Sequence, residues 1–284
     1  MGIGGEERMT IQEGLLFFIY LFLLVLIALR FLLPDKGRVA RRIQVGKAMT
    51  IGDRQVQEDN YGMCQTGEGF LAVLADGMGK GYGGKVASSL VVDTFRELFS
   101  DYRSVENPAY FLGKAFHLAN ARILEQLEEG QTGACAAAIL IRDKRLYYAL
   151  AGNVKVALFR GDSLIPLSSG HTIDRLAEDK YRQGRITRES ALRLLEKKRL
   201  YNYLGQDGFQ EIEFFDTPIP LQSKDVVVLM SDGLYEGLSW KKIEEVLEEK
   251  GSCQQKAFAL VEAINTTQSL HKDNASVVLV EGVD

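Results

Sequence analysis

Residues 134–159 read Ala134-Cys-Ala-Ala-Ala-Ile-Leu-Ile-Arg-Asp143-Lys-Arg-Leu-Tyr-Tyr-Ala-Leu-Ala-Gly152-Asn-Val-Lys-Val-Ala-Leu-Phe159. Three apolar runs, at 135–141, 146–151 and 154–159, are separated only by short turns around Asp143 and Gly152-Asn153. Connections this brief cannot hold the helix of a parallel crossover, so the spacing predicts antiparallel strands. Working outward, further strand-like runs lie at 70–75, 211–215, 226–230 and 276–280, most of them rich in β-branched or aromatic residues. Helical patterns occupy 85–99, 108–128, 187–199, 240–249 and 254–266. Successive strands with helices early and late predict the α+β class, a sheet core covered by helices.

The chain has 284 residues with 34 basic and 38 acidic side chains, a formal charge of −4, and 46% hydrophobic residues. Those averages exclude a disordered tail, a collagen-like chain and a basic nucleic-acid module. They also conceal an asymmetry. Residues 1–47 carry a net +3, leaving −7 for the rest, and an acidic domain repels phosphate backbones, so nucleic acid is not an expected partner. Cys64, Cys135 and Cys253 are too few and too scattered for a disulfide framework or a Cys-rich zinc site, which fits a reducing compartment.

From Leu15 to Leu33 only Arg30 lies outside the hydrophobic set. Nineteen helical residues at about 1.5 Å each match the hydrocarbon thickness of a bilayer, so a single transmembrane helix is expected at 15–33. Glu6, Glu7, Arg8 and Glu13 precede it, whereas Lys36, Arg38, Arg41, Arg42 and Lys47 follow with only Asp35 against them. By the positive-inside rule the C-terminal side faces the cytoplasm, and the lipid bilayer of the plasma membrane becomes a partner through Leu15 to Leu33. A cleaved secretory signal would need a basic start, a shorter apolar run and a small-residue cleavage site, and none is present. The expected organisation is a tail at 1–14, the transmembrane helix at 15–33, a basic linker at 34–42 and one soluble domain at 43–284.

Two apolar runs lead into the same signature: 70–75 meets Asp76-Gly77, and 226–230 passes through Ser231 into Asp232-Gly233. A strand ending in a carboxylate and then a glycine places an anion at the mouth of a sheet, with a tight turn and an open carbonyl. Asp273 opens the final strand, and Glu58-Asp59-Asn60 follows an expected first strand. Five clustered acids repel one another unless a cation joins them. Oxygen-only ligands favour magnesium or manganese over zinc, and a pair of such ions suits in-line phosphoryl displacement. Arg54, four residues before Glu58, has the fork geometry for a phosphate.

These stretches resemble the bacterial type 2C metal-dependent protein serine/threonine phosphatases across residues 43–281. The resemblance rests on Arg54-Gln-Val-Gln-Glu58-Asp59-Asn-Tyr-Gly62, Ala75-Asp76-Gly-Met-Gly79 running on to Val86-Ala-Ser88, Thr132-Gly-Ala, Ala151-Gly-Asn153, Ser231-Asp232-Gly-Leu234 and Asp273-Asn274, in family order. It implies a central antiparallel β-sandwich flanked by helices on both faces, and a dinuclear Mn2+ or Mg2+ site. By the same resemblance Asp76 bridges both metals, Glu58 and the Gly77 carbonyl serve one, and Asp232 and Asp273 serve the other. Asp59 would hold a water and Arg54 the substrate phosphate, with phosphorylated proteins as partners and no phosphoenzyme intermediate.

The chain also departs from that pattern. Asn153 stands where a carboxylate resembling a ligand of a third, weaker metal is usual, and a neutral amide weakens such a site. Lys80-Gly81 replaces Gly-Gly-His, Lys85 replaces a glutamate, and Met78 replaces the histidine proposed as general acid in eukaryotic members. Gly79-Lys-Gly81-Tyr-Gly-Gly84 matches a dinucleotide fingerprint, but Asp76 and the antiparallel runs contradict a Rossmann unit. Residues 172–205, with Arg188, Arg193, Lys197, Lys198 and Arg199, correspond to the family's flap or to a solvated charged face. His117, His171 and His271 lack the spacing of a metal site or triad and are read as structural or exposed. The alternative reading is a membrane-anchored pseudophosphatase that binds phosphoproteins without turnover. A metal phosphatase acting on a small molecule is a third.

Overall fold

The structure is a computed structural model and describes residues 11–32, 43–67, 69–101, 107–127, 132–195, 199–269 and 271–282, without the side chains of 11–14 and 27–32. Two compact units divide the chain, Met1–Arg41 and Arg42–Asp284. The first contains α1 (Ile11–Leu32). Its described side chains, residues 15–26, are all apolar or aromatic and all exposed. No helix among the described residues is long and apolar enough to cross a membrane. The expected span at 15–33 therefore has no direct support here, and Leu33, the linker at 34–42 and residues 1–10 of the tail lie outside the described residues.

The second unit runs β1 (Ile43–Thr50), β2 (Asp59–Thr66), β3 (Gly69–Gly79), α2 (Gly83–Ser100), α3 (Pro108–Gln126), β4 (Thr132–Arg142), β5 (Arg145–Ala151), β6 (Lys155–Arg160), β7 (Ser163–Pro166), α4 (Ile173–Arg182), α5 (Arg188–Leu195), β8 (Glu213–Phe214), β9 (Ile219–Pro220), β10 (Val226–Met230), α6 (Asp232–Gly237), α7 (Trp240–Glu248), α8 (Cys253–Thr266) and β11 (Ala275–Gly282). One sheet has the order β1-β11-β10-β6-β7, and the other β2-β3-β4-β5-β8 with β9 also on β5. All the pairings are antiparallel.

Period-two alternation sorts the β3 side chains. Phe70, Ala72 and Leu74 face the other sheet, where Val227, Leu229, Val278 and Val280 meet them. Leu71, Val73 and Ala75 face α2 and α3, against Val91, Phe95, Leu112 and Phe116. Burial on both faces explains why this strand reads as an unbroken apolar run. On the outer face of β4, Ala134, Ala136 and Ala138 keep the helices close to the sheet, and the Phe95 and Phe116 rings meet edge to face at 5.0 Å. The other sheet is covered by α6, α7 and α8 through Leu234, Ile243, Leu247, Leu260 and Ile264. Ser252 and Gln255 form a capping box that starts α8. The α+β class and the antiparallel sheets covered by helices are as expected.

Four details differ from expectation. The three strands of 134–159 do not share one sheet: β4 pairs with β5, but β6 pairs with β7 and β10, so Gly152-Asn153 carries the chain between layers. β3 does not end at Asp76 but continues to Gly79. Asp273 lies just before β11, which begins at Ala275. The helix expected at 187–199 is shorter, Arg188–Leu195, with Lys197 and Lys198 outside the described residues. Edge strands β1, β7 and β9, with β2 and the short helices α4 and α6, carry too few apolar residues to give a periodic signal.

Candidate active site

Strand pairing builds the site. Asp59, the first residue of β2, is the register partner of Asp76 in β3. In the other sheet β10 ends at Met230, and Ser231 caps α6, which begins at Asp232. Ser231 Oγ joins the layers, donating to Asp59 Oδ2 at 2.8 Å and accepting from the Ser276 N–H at 2.9 Å. Asn274 ties in the loop before β2: its Oδ1 accepts from the Glu58 N–H at 2.8 Å, and its Nδ2 donates to the Ile51 carbonyl at 2.9 Å. Arg54 Nη2 reaches Asp273 Oδ2 at 2.6 Å. The Asp76 and Asp232 carboxylates are close neighbours at this junction. A cleft of about 290 Å³ adjoins these groups, lined by Asp232, Gly233, Glu236, His271, Lys272 and Asp273.

Two glycines of the Asp-Gly signatures are required by close approach, not by the tight turn expected of them. A Cβ on Gly77 would lie 2.0 Å from the Gly84 carbonyl oxygen and 2.8 Å from that of Glu58, whose oxygen accepts the Gly77 N–H at 3.2 Å. On Gly233 it would lie 2.0 Å from the Asn274 carbonyl oxygen. Gly84 is as constrained, since its Cβ would meet Glu58 Oε1 at 2.3 Å. The Gly-rich loop is thus seated on the Glu58 carboxylate, with Gly81 at φ +63 forming its turn.

Burial sets the electrostatics. It raises Asp76 well above the usual carboxylate range, helped by the nearby Asp232 and Asp59 charges. Asp59 is pushed up to about 6, again by burial, against the neighbouring Ser276 and Ser231 hydroxyls, which favour its ionised form. Burial and the Asp273 charge raise Asp232, while Asn153 lowers it. Glu58 is raised by burial and lowered by Arg54. Among the described residues no three acidic, histidine or cysteine side chains are grouped closely enough to enclose a metal ion as they stand. The chemistry still fits a cation, because Glu58 Oε1 and Asp59 Oδ1 are buried without a hydrogen-bond partner. An added positive charge would satisfy both oxygens and lower every raised carboxylate.

All the residues singled out from the sequence, Arg54, Glu58, Asp59, Asp76, Gly77, Asp232 and Asp273, belong to this region. Arg54 differs in partner: its fork is on Asp273 instead of free for a phosphate. Met78 packs against the core between the sheets, so it fills volume and takes no part in proton transfer. His171 is buried, whereas His117 and His271 are exposed. Sequence reasoning passed over Ser231 and Asn274 as functional groups although both stand beside quoted aspartates. It also missed the Asn153 Nδ2–Asp232 Oδ2 bond of 2.8 Å.

A model of the family described as Stage II sporulation protein E (SpoIIE) matches residues 66–281. The chain belongs to the SpoIIE/type 2C phosphatase family. Among curated relatives of this SpoIIE/type 2C member, a serine/threonine phosphatase stp from Listeria welshimeri is 26% identical over 236 residues, covering 80% of this chain and 91% of the relative. A serine/threonine phosphatase from S. agalactiae superposes with a TM-score of 0.74 at 24% identity, covering 85% of this chain and all of that one. The catalytic domain of serine threonine protein phosphatase PstP, solved in complex with two manganese ions, gives a TM-score of 0.66 at 27% identity, covering 85% of this chain and 99% of that one.

Proposed function

We propose that this chain is a metal-dependent protein serine/threonine phosphatase, held at a membrane by its N-terminal helix, that hydrolyses phosphoserine and phosphothreonine. The observation that carries the catalytic part is the convergence of five carboxylates, two of them with buried oxygens lacking partners, from both sheets. Family membership and the names of its relatives support the substrate class. When bound, two Mn2+ or Mg2+ ions would supply an activated water and neutralise charge developing on the phosphoryl group. Asp76, Glu58 and the Gly77 carbonyl would hold one, and Asp232 and Asp273 with the shared Asp76 the other. Asp59, fixed by Ser231, would orient the attacking water. Arg54, which now rests on Asp273, would turn to fork onto the substrate phosphate.

Full-length protein in mild detergent is expected to hydrolyse p-nitrophenyl phosphate and phosphothreonine peptides with manganese and to stop on chelation. Inertness across metals and pH, with tight phosphopeptide binding by calorimetry, would instead establish the binding module.

The anchoring part rests on α1. Its residues 15–26 are apolar around the whole circumference, and the sequence stays apolar from there to Leu33 except at Arg30. The basic flank after Leu33 supports a cytoplasmic C-terminal domain at the plasma membrane. In intact cells, protease added outside is expected to leave the domain whole, and the protein is expected to stay with membranes after alkaline carbonate washing. Release into the wash would remove the anchor from this reading.

A further inference from the structure

At the crossing between the two sheets, Asn153 Nδ2 donates to Asp232 Oδ2 at 2.8 Å. Its own Oδ1 is buried with no hydrogen-bond partner. An amide serving only a turn would bond the neighbouring backbone, as turn asparagines do. Here the side chain donates to a carboxylate instead. The backbone around it is fixed from three sides. The Tyr235 hydroxyl donates to the Asn153 carbonyl at 2.8 Å, with Lys155 Nζ 4.7 Å from the Tyr235 ring centroid. Gly152, at φ +98, leaves no room for a side chain, since a Cβ there would meet Cys135 Sγ at 2.3 Å. Gly152 also exchanges two bonds with His171: its N–H donates to Nδ1 at 3.1 Å, and its carbonyl accepts the His171 N–H at 2.7 Å.

We propose that Asn153 is a positioning residue for the reaction, its amide holding the Asp232 carboxylate in the orientation that receives a divalent cation. The inference rests on the metal-dependent reading above. The Asn153 amide carries no charge and stays a donor at every pH, so it fixes Asp232 Oδ2 and leaves Oδ1 without that restraint. A carboxylate at 153 would face Asp232 with like charge whenever no cation was bound. The anchor is rigid because His171 is itself held, its Nδ1 lying 2.8 Å from Asn202 Nδ2 and its carbonyl accepting the Tyr201 N–H at 3.1 Å. Both ends of the segment containing α4 and α5 therefore close on the turn that presents Asn153.

The test is a calorimetric titration with Mn2+ alone of wild-type, Asn153→Ala and Asn153→Asp full-length protein, beside thermal melts in chelator. For Asn153→Ala, manganese affinity is expected to fall about tenfold or more, with turnover largely regained at saturating manganese. Unchanged affinity in that variant would overturn the proposal. Absence of manganese binding by the wild type would instead remove the metal reading itself. Should Asn153→Ala not fold, Asn153→Asp decides: it should melt below wild type in chelator and gain more than wild type on adding Mn2+. Equal melting of the two in chelator would overturn the positioning role.

Discussion

Asp232→Asn is expected to lower manganese-dependent hydrolysis of p-nitrophenyl phosphate by about a hundredfold or more, the scale of losing one group that stabilises transition-state charge. Asparagine keeps the size of the side chain and an oxygen for the Asn153 amide, so the local packing survives. What disappears is the negative charge needed to hold a hard cation. Stability in chelator should move the other way. Asp232 sits in a buried acidic group where burial and the Asp273 charge disfavour its ionised form, so a neutral side chain relieves a cost in the metal-free protein. The variant is therefore expected to melt at or above wild type without metal and to gain less than wild type from added Mn2+. Retention of more than a tenth of wild-type activity would show that Asp232 is not a ligand.

Gly77→Ala is expected to destabilise the domain by about 3 kcal/mol, the upper end of the cost of overpacking. The first methyl group would lie 2.0 Å from one backbone oxygen and 2.8 Å from another, and neither can rotate aside as a side chain would. Relief requires β3 to move away from the start of α2, and that movement also lifts Gly84 from Glu58. For a domain of this size the melting temperature should fall by about 6–12 °C. Activity at a permissive temperature should fall as well. A methyl group accepted within about 1 °C would mean that α2 and β3 do not approach as described. Gly81→Ala is the contrast, because nothing lies within 4 Å of its Cβ and only its positive φ resists substitution.

Much of the fold was legible because it is written in apolar runs. The runs at 70–75, 135–141, 146–151 and 226–230 each fall inside an observed strand, since strands buried on both faces need an apolar residue at every position. β2 escaped notice, and the first strand expected before Glu58 had no legible bounds, for the opposite reason. Ile43-Gln-Val-Gly-Lys-Ala-Met-Thr50 is an edge strand with polar residues interspersed, and β2 opens with Asp59-Asn60, where function outweighs strand propensity. Sheet membership was not legible either. Val154 follows Ala151 after two residues whether the chain turns back within one sheet or crosses to the other. Here Gly152 crosses because its positive φ and missing Cβ let it pass over Cys135.

The sequence by itself determined which residues carry charge, where the anchor candidate lies, and that an aspartate followed by glycine comes after two apolar runs. These are local properties, readable from residue type and spacing along one segment. Only the tertiary structure decided that Asp59 and Asp76 are direct strand partners, that Ser231 links Asp59 to the other sheet, and that Arg54 rests on Asp273. It also decided that Asn153 bonds Asp232, 79 residues away along the chain. Contacts over such separations depend on sheet register and on how two layers stack. Neither leaves a periodic trace in the chain, since register follows from the summed packing of both faces and not from any single segment.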